Sequence, residues 1–136
     1  MWRWRGVPRG IRWIVAVQVV VLSYGGVVHV VQLATGGRQP YPWAPAWLAA
    51  YFISLTVLDF LAAGLLGVRR AAGLWLSVAI LVTDAAANAY AVYSLTGAQP
   101  IARVGQAIIT ALAVGAVVSA RRVRPWLWPA GSRPGG

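Results

Sequence analysis

Hydrophobic positions along the chain fall into four long runs with few polar interruptions, at about residues 11–35, 46–68, 71–95 and 101–120. Each reaches the length of about 20 apolar residues that carries an α-helix across about 30 Å of hydrocarbon. The breaks between runs have turn chemistry: Gly36-Gly37-Arg38-Gln39-Pro40 with Pro42 and Pro45, then Arg69-Arg70, then Thr96-Gly97-Ala98-Gln99-Pro100. Such short connections make consecutive helices antiparallel neighbours. The pattern therefore predicts an all-α fold, an antiparallel bundle of four transmembrane helices, as one domain over residues 1–136. The Pro- and Gly-rich tail at about 129–136 is expected to be disordered.

Charge adds sidedness to this picture. The chain has twelve arginines, no lysine and two acids. Arg3, Arg5, Arg9 and Arg12 precede the first run, Arg69 and Arg70 join the second and third, and Arg121, Arg122, Arg124 and Arg133 follow the fourth. Only Arg38 and Arg103 fall on the other side, and arginine-rich short loops stay in the cytoplasm. Both termini are expected to be cytoplasmic in a multi-pass protein of the cell membrane. The all-arginine, Ala/Val/Gly-rich usage points to a bacterial inner membrane. A cleaved signal peptide also places arginines before an apolar run, but this run exceeds the 7–15 residues of such a segment and no A-x-A site follows, so a signal anchor fits better.

Composition excludes several classes. With 60% hydrophobic residues and a mean hydropathy of +0.69 in 136 residues, the chain is too apolar for an ordinary soluble domain. A pI near 11.7 in a soluble protein suggests nucleic acid. Here the arginines flank apolar runs, where they contact anionic lipid headgroups, and no nucleic-acid partner is expected. One histidine and no cysteine make no closed structural zinc site within one chain, and haem lacks a second axial ligand, so neither metal nor cofactor is expected. There is no H-E-x-x-H, G-x-S-x-G or P-loop motif.

Trp2, Trp4, Trp13, Trp126 and Trp128 are expected at the inner membrane interface, and Tyr41, Trp43, Trp47, Tyr51 and Tyr93 at the outer one. Small residues at four-residue spacing, such as Ala111, Gly115 and Ser119, Ala87 and Ala91, or Ala63 and Gly67, are helix-packing signals. They fit intrachain packing first, and a homo-oligomer or a partner membrane protein second.

The chemistry concentrates in the intramembrane polar residues. Both acids, Asp59 and Asp84, fall inside runs, where a carboxylate costs about 2.5–3.5 kcal/mol at mid-bilayer. Thr56 lies three residues before Asp59 and Asn88 four after Asp84, spacings that share a helix face. Counting from the Arg69-Arg70 turn offsets the two carboxyls by about 6 Å, too far for a tight dyad but within reach of a proton relay through Thr56 or Thr83. Gln18, Gly25, His29 and Gln32 make a polar stripe on the first helix, and Gln106 pairs with Thr110 on the fourth. These counts predict an outer-half layer of His29, Gln32, Asp84, Asn88 and Gln106, open if at all to the extracytoplasmic side, with Arg103 above it as a counter-ion for Asp84 or for an anionic ligand. The leading expectation is a pocket for an apolar, lipid-like small molecule. An accessory or scaffold subunit with structural polar residues and an oligomeric proton-coupled transporter are the alternatives. No enzymatic activity is indicated, and any reaction would be isomerase-like acid/base chemistry by Asp84 and His29 on an apolar substrate.

Overall fold

The computed structural model describes residues 4–128. The expected disordered tail at about 129–136, and with it Trp2, Arg3 and Arg133, lies outside the described residues. Among those described the protein is all-helical, with four helices each long and apolar enough to cross a membrane. They are α1 (Arg9–Gly36), α2 (Ala46–Gly67), α3 (Ala71–Tyr90) and α4 (Pro100–Val123), with a π-helical turn at Ala91–Leu95 and a 3-10 turn at Arg124–Trp126.

Proline sets three of the starts. Pro8 and Pro45 immediately precede α1 and α2, and Pro100 is the first residue of α4. A fixed φ suits these positions, and the missing N–H is one that has no partner within a helix. Helix α4 outlasts its apolar run, continuing through Arg121 and Arg122 to Val123. Arginine is a good helix former, and its charge is favourable in the last turn.

Helices adjacent in sequence pack closely, whereas α1 and α4 meet only thinly. Glycine permits the closest approaches. A Cβ on Gly26 would stand 2.8 Å from the Phe60 ring, and one on Gly73 would meet the backbone of Leu65 and Leu66. Ala63, Ala87 and Ala91 are buried in one core with Leu48, Phe52 and Leu55. Gly67 and Gly115, by contrast, face open space. The Ala111, Gly115 and Ser119 stripe lines a groove of about 340 Å³ with Trp13 and Val17 along the α1–α4 seam. Inside that seam Gln18 joins three helices: Ser77 donates to its Oε1 at 3.1 Å, and its Nε2 donates to Ser119 Oγ at 3.3 Å.

The turn between α2 and α3 departs most from the sequence reading. Arg69 has φ +66°, and its guanidinium donates twice to the Trp126 carbonyl, from Nε at 2.9 Å and Nη2 at 2.6 Å. It lies 5.4 Å from the Trp4 ring centre and 4.9 Å from that of Trp128. Trp4 Nε1 donates to the Gly67 carbonyl, and the backbones of Trp128, Arg69 and Ala71 are hydrogen-bonded. Trp4 and Trp128, expected as interface anchors, also hold a cation between them and fasten the segments before α1 and after α4 to this turn. Burial of Val123 and Leu127 beneath them draws the segment inward.

Candidate functional site

A cavity of about 600 Å³ lies between all four helices in the half of the bundle away from Arg69. Its polar lining is His29, Gln32, Tyr41, Asp59, Asp84 and Asn88, with the Tyr24 hydroxyl and the Trp43 indole N–H as further polar groups. Both acids and the sole histidine of the chain thus share one space. The rest of the wall is apolar and includes Val20, Val21, Ile80, Leu81, Ile109 and Leu112. Tyr24 and Ile108 also line it while remaining 70% and 56% exposed. The cavity is therefore open sideways, through the thin α1–α4 seam.

Asp59 is placed by a gap on α1. A Cβ on Gly25 would stand 2.7 Å from Asp59 Oδ2, so the carboxyl occupies room that only glycine leaves. Asp59 is only 4% exposed, and among the described residues no donor reaches its carboxyl. The expected relay through Thr56 is absent: Thr56 Oγ1 is buried without a partner. Asp59 turns toward α1 rather than back along its own helix, which explains why same-face spacing did not produce a bond. Thr83 is engaged elsewhere, within 2.8 Å of the Tyr51 hydroxyl and donating to the Ala79 carbonyl. No hydrogen-bonded chain links the two acids among the described residues.

Asp84 is held by its own helix. Asn88 Nδ2 donates to Asp84 Oδ1 at 2.8 Å and to the Asp84 carbonyl at 3.0 Å, as their four-residue spacing suggests. Just beyond Asn88 the helix widens into the π turn, where Thr96 N–H reaches back to the Ala91 carbonyl and Ala98 N–H to that of Val92. Ala91 and Val92 are buried there. Single π turns recur beside functional sites.

The mouth at the loop end is built around His29. Tyr41 donates to Gln32 Oε1 at 2.7 Å, while His29 Nδ1 lies 3.1 Å from Tyr41 Oη and 3.2 Å from Gln32 Oε1. With the Tyr41 proton directed to Gln32, Nδ1 faces lone pairs on both oxygens, which assigns the imidazole proton to Nδ1. Nε2 is left as an acceptor with no partner among the described residues. His29 stacks on Phe52, ring centres 6.1 Å apart and planes at 22°, and Tyr41 and Trp43 pack on the same phenyl ring.

Tyr41 is the functional candidate that sequence reasoning missed. It was expected in an interfacial belt, yet it is only 6% exposed and closes the cavity. The signal was Pro40-Tyr41-Pro42, a stiffened segment short enough to fold an aromatic back onto the helix ends. Burial pushes its phenol above the ordinary range, and the Asp84 carboxylate adds to the effect. Tyr51, also expected at the interface, is half-buried against Thr83.

Two expected members stand apart. Gln106 is buried behind the cavity wall, where Nε2 donates to the Ala85 carbonyl at 2.8 Å and Thr110 Oγ1 at 3.1 Å, tying α4 to α3. Arg103 is exposed, and among the described residues its side chain makes no ion pair with Asp84. Helix rotation, which residue spacing alone leaves free, decides both cases. No group of three or more potential metal-ligating side chains occurs among the described residues. No protein family, characterised protein or solved structure matches the chain.

Proposed function

We propose that this chain is a multi-pass membrane protein whose four helices run antiparallel with both termini in the cytoplasm, and whose cavity binds an apolar, lipid-like small molecule. The orientation rests on the arginine bias: Arg5, Arg9, Arg12, Arg69, Arg70, Arg121, Arg122 and Arg124 flank the helix ends gathered at the Trp4–Arg69–Trp128 clasp. Those not drawn into the clasp face anionic headgroups.

The ligand reading rests chiefly on one observation: a cavity of about 600 Å³ with apolar walls collects both acids and the only histidine and opens through the α1–α4 seam. That volume lies within the range of about 300–1,000 Å³ typical of small-molecule sites. In a bilayer the seam faces hydrocarbon, so an apolar molecule enters without crossing water. Intramembrane acids are costly and rare unless they face a partner or cavity.

Native mass spectrometry of gently extracted protein tests this. A defined lipid-like molecule retained by the wild type and lost from both Asp84→Asn and His29→Ala supports it. Intact bundles with no bound molecule in any form refute it. That outcome favours the second reading, an accessory subunit in which polar residues hold helices together, as Gln18, Ser77 and Ser119 do.

A further inference from the structure

We infer that the molecule this cavity takes carries a protonated amine on an apolar body, with the ammonium held by Asp59 and Asp84. The inference rests on the cavity reading above and adds the chemical class of the ligand.

Several hydrogen-bonding groups that line the cavity are left without a partner among the described residues. Asp59 is 96% buried, lines the cavity and receives no hydrogen bond among the described residues. Asp84 Oδ1 is taken by Asn88, which leaves Oδ2. Asn88 directs its amide nitrogen to Asp84, leaving its own carbonyl oxygen, and His29 Nε2 is a further acceptor. On the donor side the Tyr41 hydroxyl is committed to Gln32, and the Gln32 amide nitrogen remains, together with the Tyr24 hydroxyl on the largely exposed edge and the Trp43 indole N–H at the mouth. Acceptor atoms thus outnumber donor groups, and the two carboxyls are among the acceptors left open. The complement of such a cavity is a group with several N–H donors.

Charge points the same way. No lysine or arginine lines the cavity among the described residues, and Arg103, the cation expected there, is exposed and makes no ion pair with Asp84. Two carboxyls without a cationic partner in an apolar wall are stabilised by a ligand that brings the opposite charge. Phe52, Tyr41 and Trp43 add ring faces at the mouth, surfaces that attract ammonium groups. The apolar remainder of the ligand lies along Val20, Val21, Ile109 and Leu112 toward the seam.

The test is a native mass-spectrometric titration at neutral pH with three probes of equal chain length: dodecylamine, 1-dodecanol and dodecanoic acid. Wild type is compared with Asp59→Asn, Asp84→Asn and Ile109→Trp, the last of which fills the cavity. The amine should bind one per chain, at least about tenfold more tightly than the alcohol, the difference expected for hydrogen bonds to a charged group. Each Asn variant should lose about that factor for the amine and leave the alcohol unchanged, and Ile109→Trp should weaken the amine and the alcohol alike. Alcohol or acid binding as well as the amine to wild type overturns the inference, and that comparison needs no variant to fold. An amine preference that survives in both Asn variants overturns it too. If Ile109→Trp changes nothing for any probe, the cavity itself is not the binding site, and the functional reading falls with the inference.

Discussion

Replacing Gly25 by alanine probes the placement of Asp59 directly, because the added methyl would stand 2.7 Å from Oδ2 and 3.5 Å from Cγ of that residue. Alanine in a helix interior is otherwise favourable over glycine by about 1 kcal/mol. Against this, forcing an extra carbon into an occupied space costs about 1–3 kcal/mol. Gly25→Ala should therefore be neutral to destabilising by about 2 kcal/mol in the wild-type background. In an Asp59→Ala background the obstruction is gone, and the same substitution should stabilise by up to about 1 kcal/mol. A double-mutant cycle read by denaturant unfolding in detergent should thus return a coupling of about 1–3 kcal/mol. Gly64→Ala, at an exposed α2 position where a Cβ meets nothing within 4 Å, is the control and should show no coupling to Asp59. Additivity of Gly25→Ala and Asp59→Ala within about 0.5 kcal/mol would refute the claim that the carboxyl is seated against Gly25.

Three further outcomes follow from the same contacts. Arg69→Lys loses the two-pronged donation to the Trp126 carbonyl and weakens the cation–ring contacts with Trp4 and Trp128, and should lower stability by about 1–3 kcal/mol in the same unfolding assay. Gly73→Ala drives a methyl into the Leu65–Leu66 backbone and should cost about 1–3 kcal/mol or prevent folding, seen as loss of a monodisperse species in detergent. Tyr41 has a folded-state pKa raised by burial and by Asp84, so its contribution is complete below the unfolded phenol value of about 10 and is lost as pH rises through the folded one. Wild type should lose stability above pH 10 more steeply than Tyr41→Phe, measured by helicity against temperature across the alkaline range.

Much of the architecture is legible in the hydropathy pattern, because a helix that crosses a membrane must satisfy its own backbone over a fixed length and leaves a long apolar run. Helix ends and apolar runs part company where polar residues are good helix formers, as at Arg121 and Arg122, which are polar and still helical. Residue type also singled out Asp59, Asp84, His29, Gln32 and Asn88, all of which line one cavity. Depth counting could not separate them from Gln106, which sits at a similar level but is rotated into the α3–α4 contact. Nor could it foresee Tyr41, since a loop that folds back has no periodicity to read. Arg69 shows a related limit: an arginine in a short loop carries a topology signal whether it contacts lipid or, as here, two tryptophans and a carbonyl.

The central claim is that an apolar molecule reaches this cavity sideways from the membrane. Photolabelling in lipid vesicles with a long-chain alkyl diazirine, followed by peptide mapping, tests it most directly. Adducts should fall on cavity-lining positions of α1 and α4 that are only part-exposed, Val21 and Leu112 among them, and disappear in Ile109→Trp. Labelling confined to outward residues such as Val57, Phe60, Val117 and Val118, unchanged by that substitution, would contradict it.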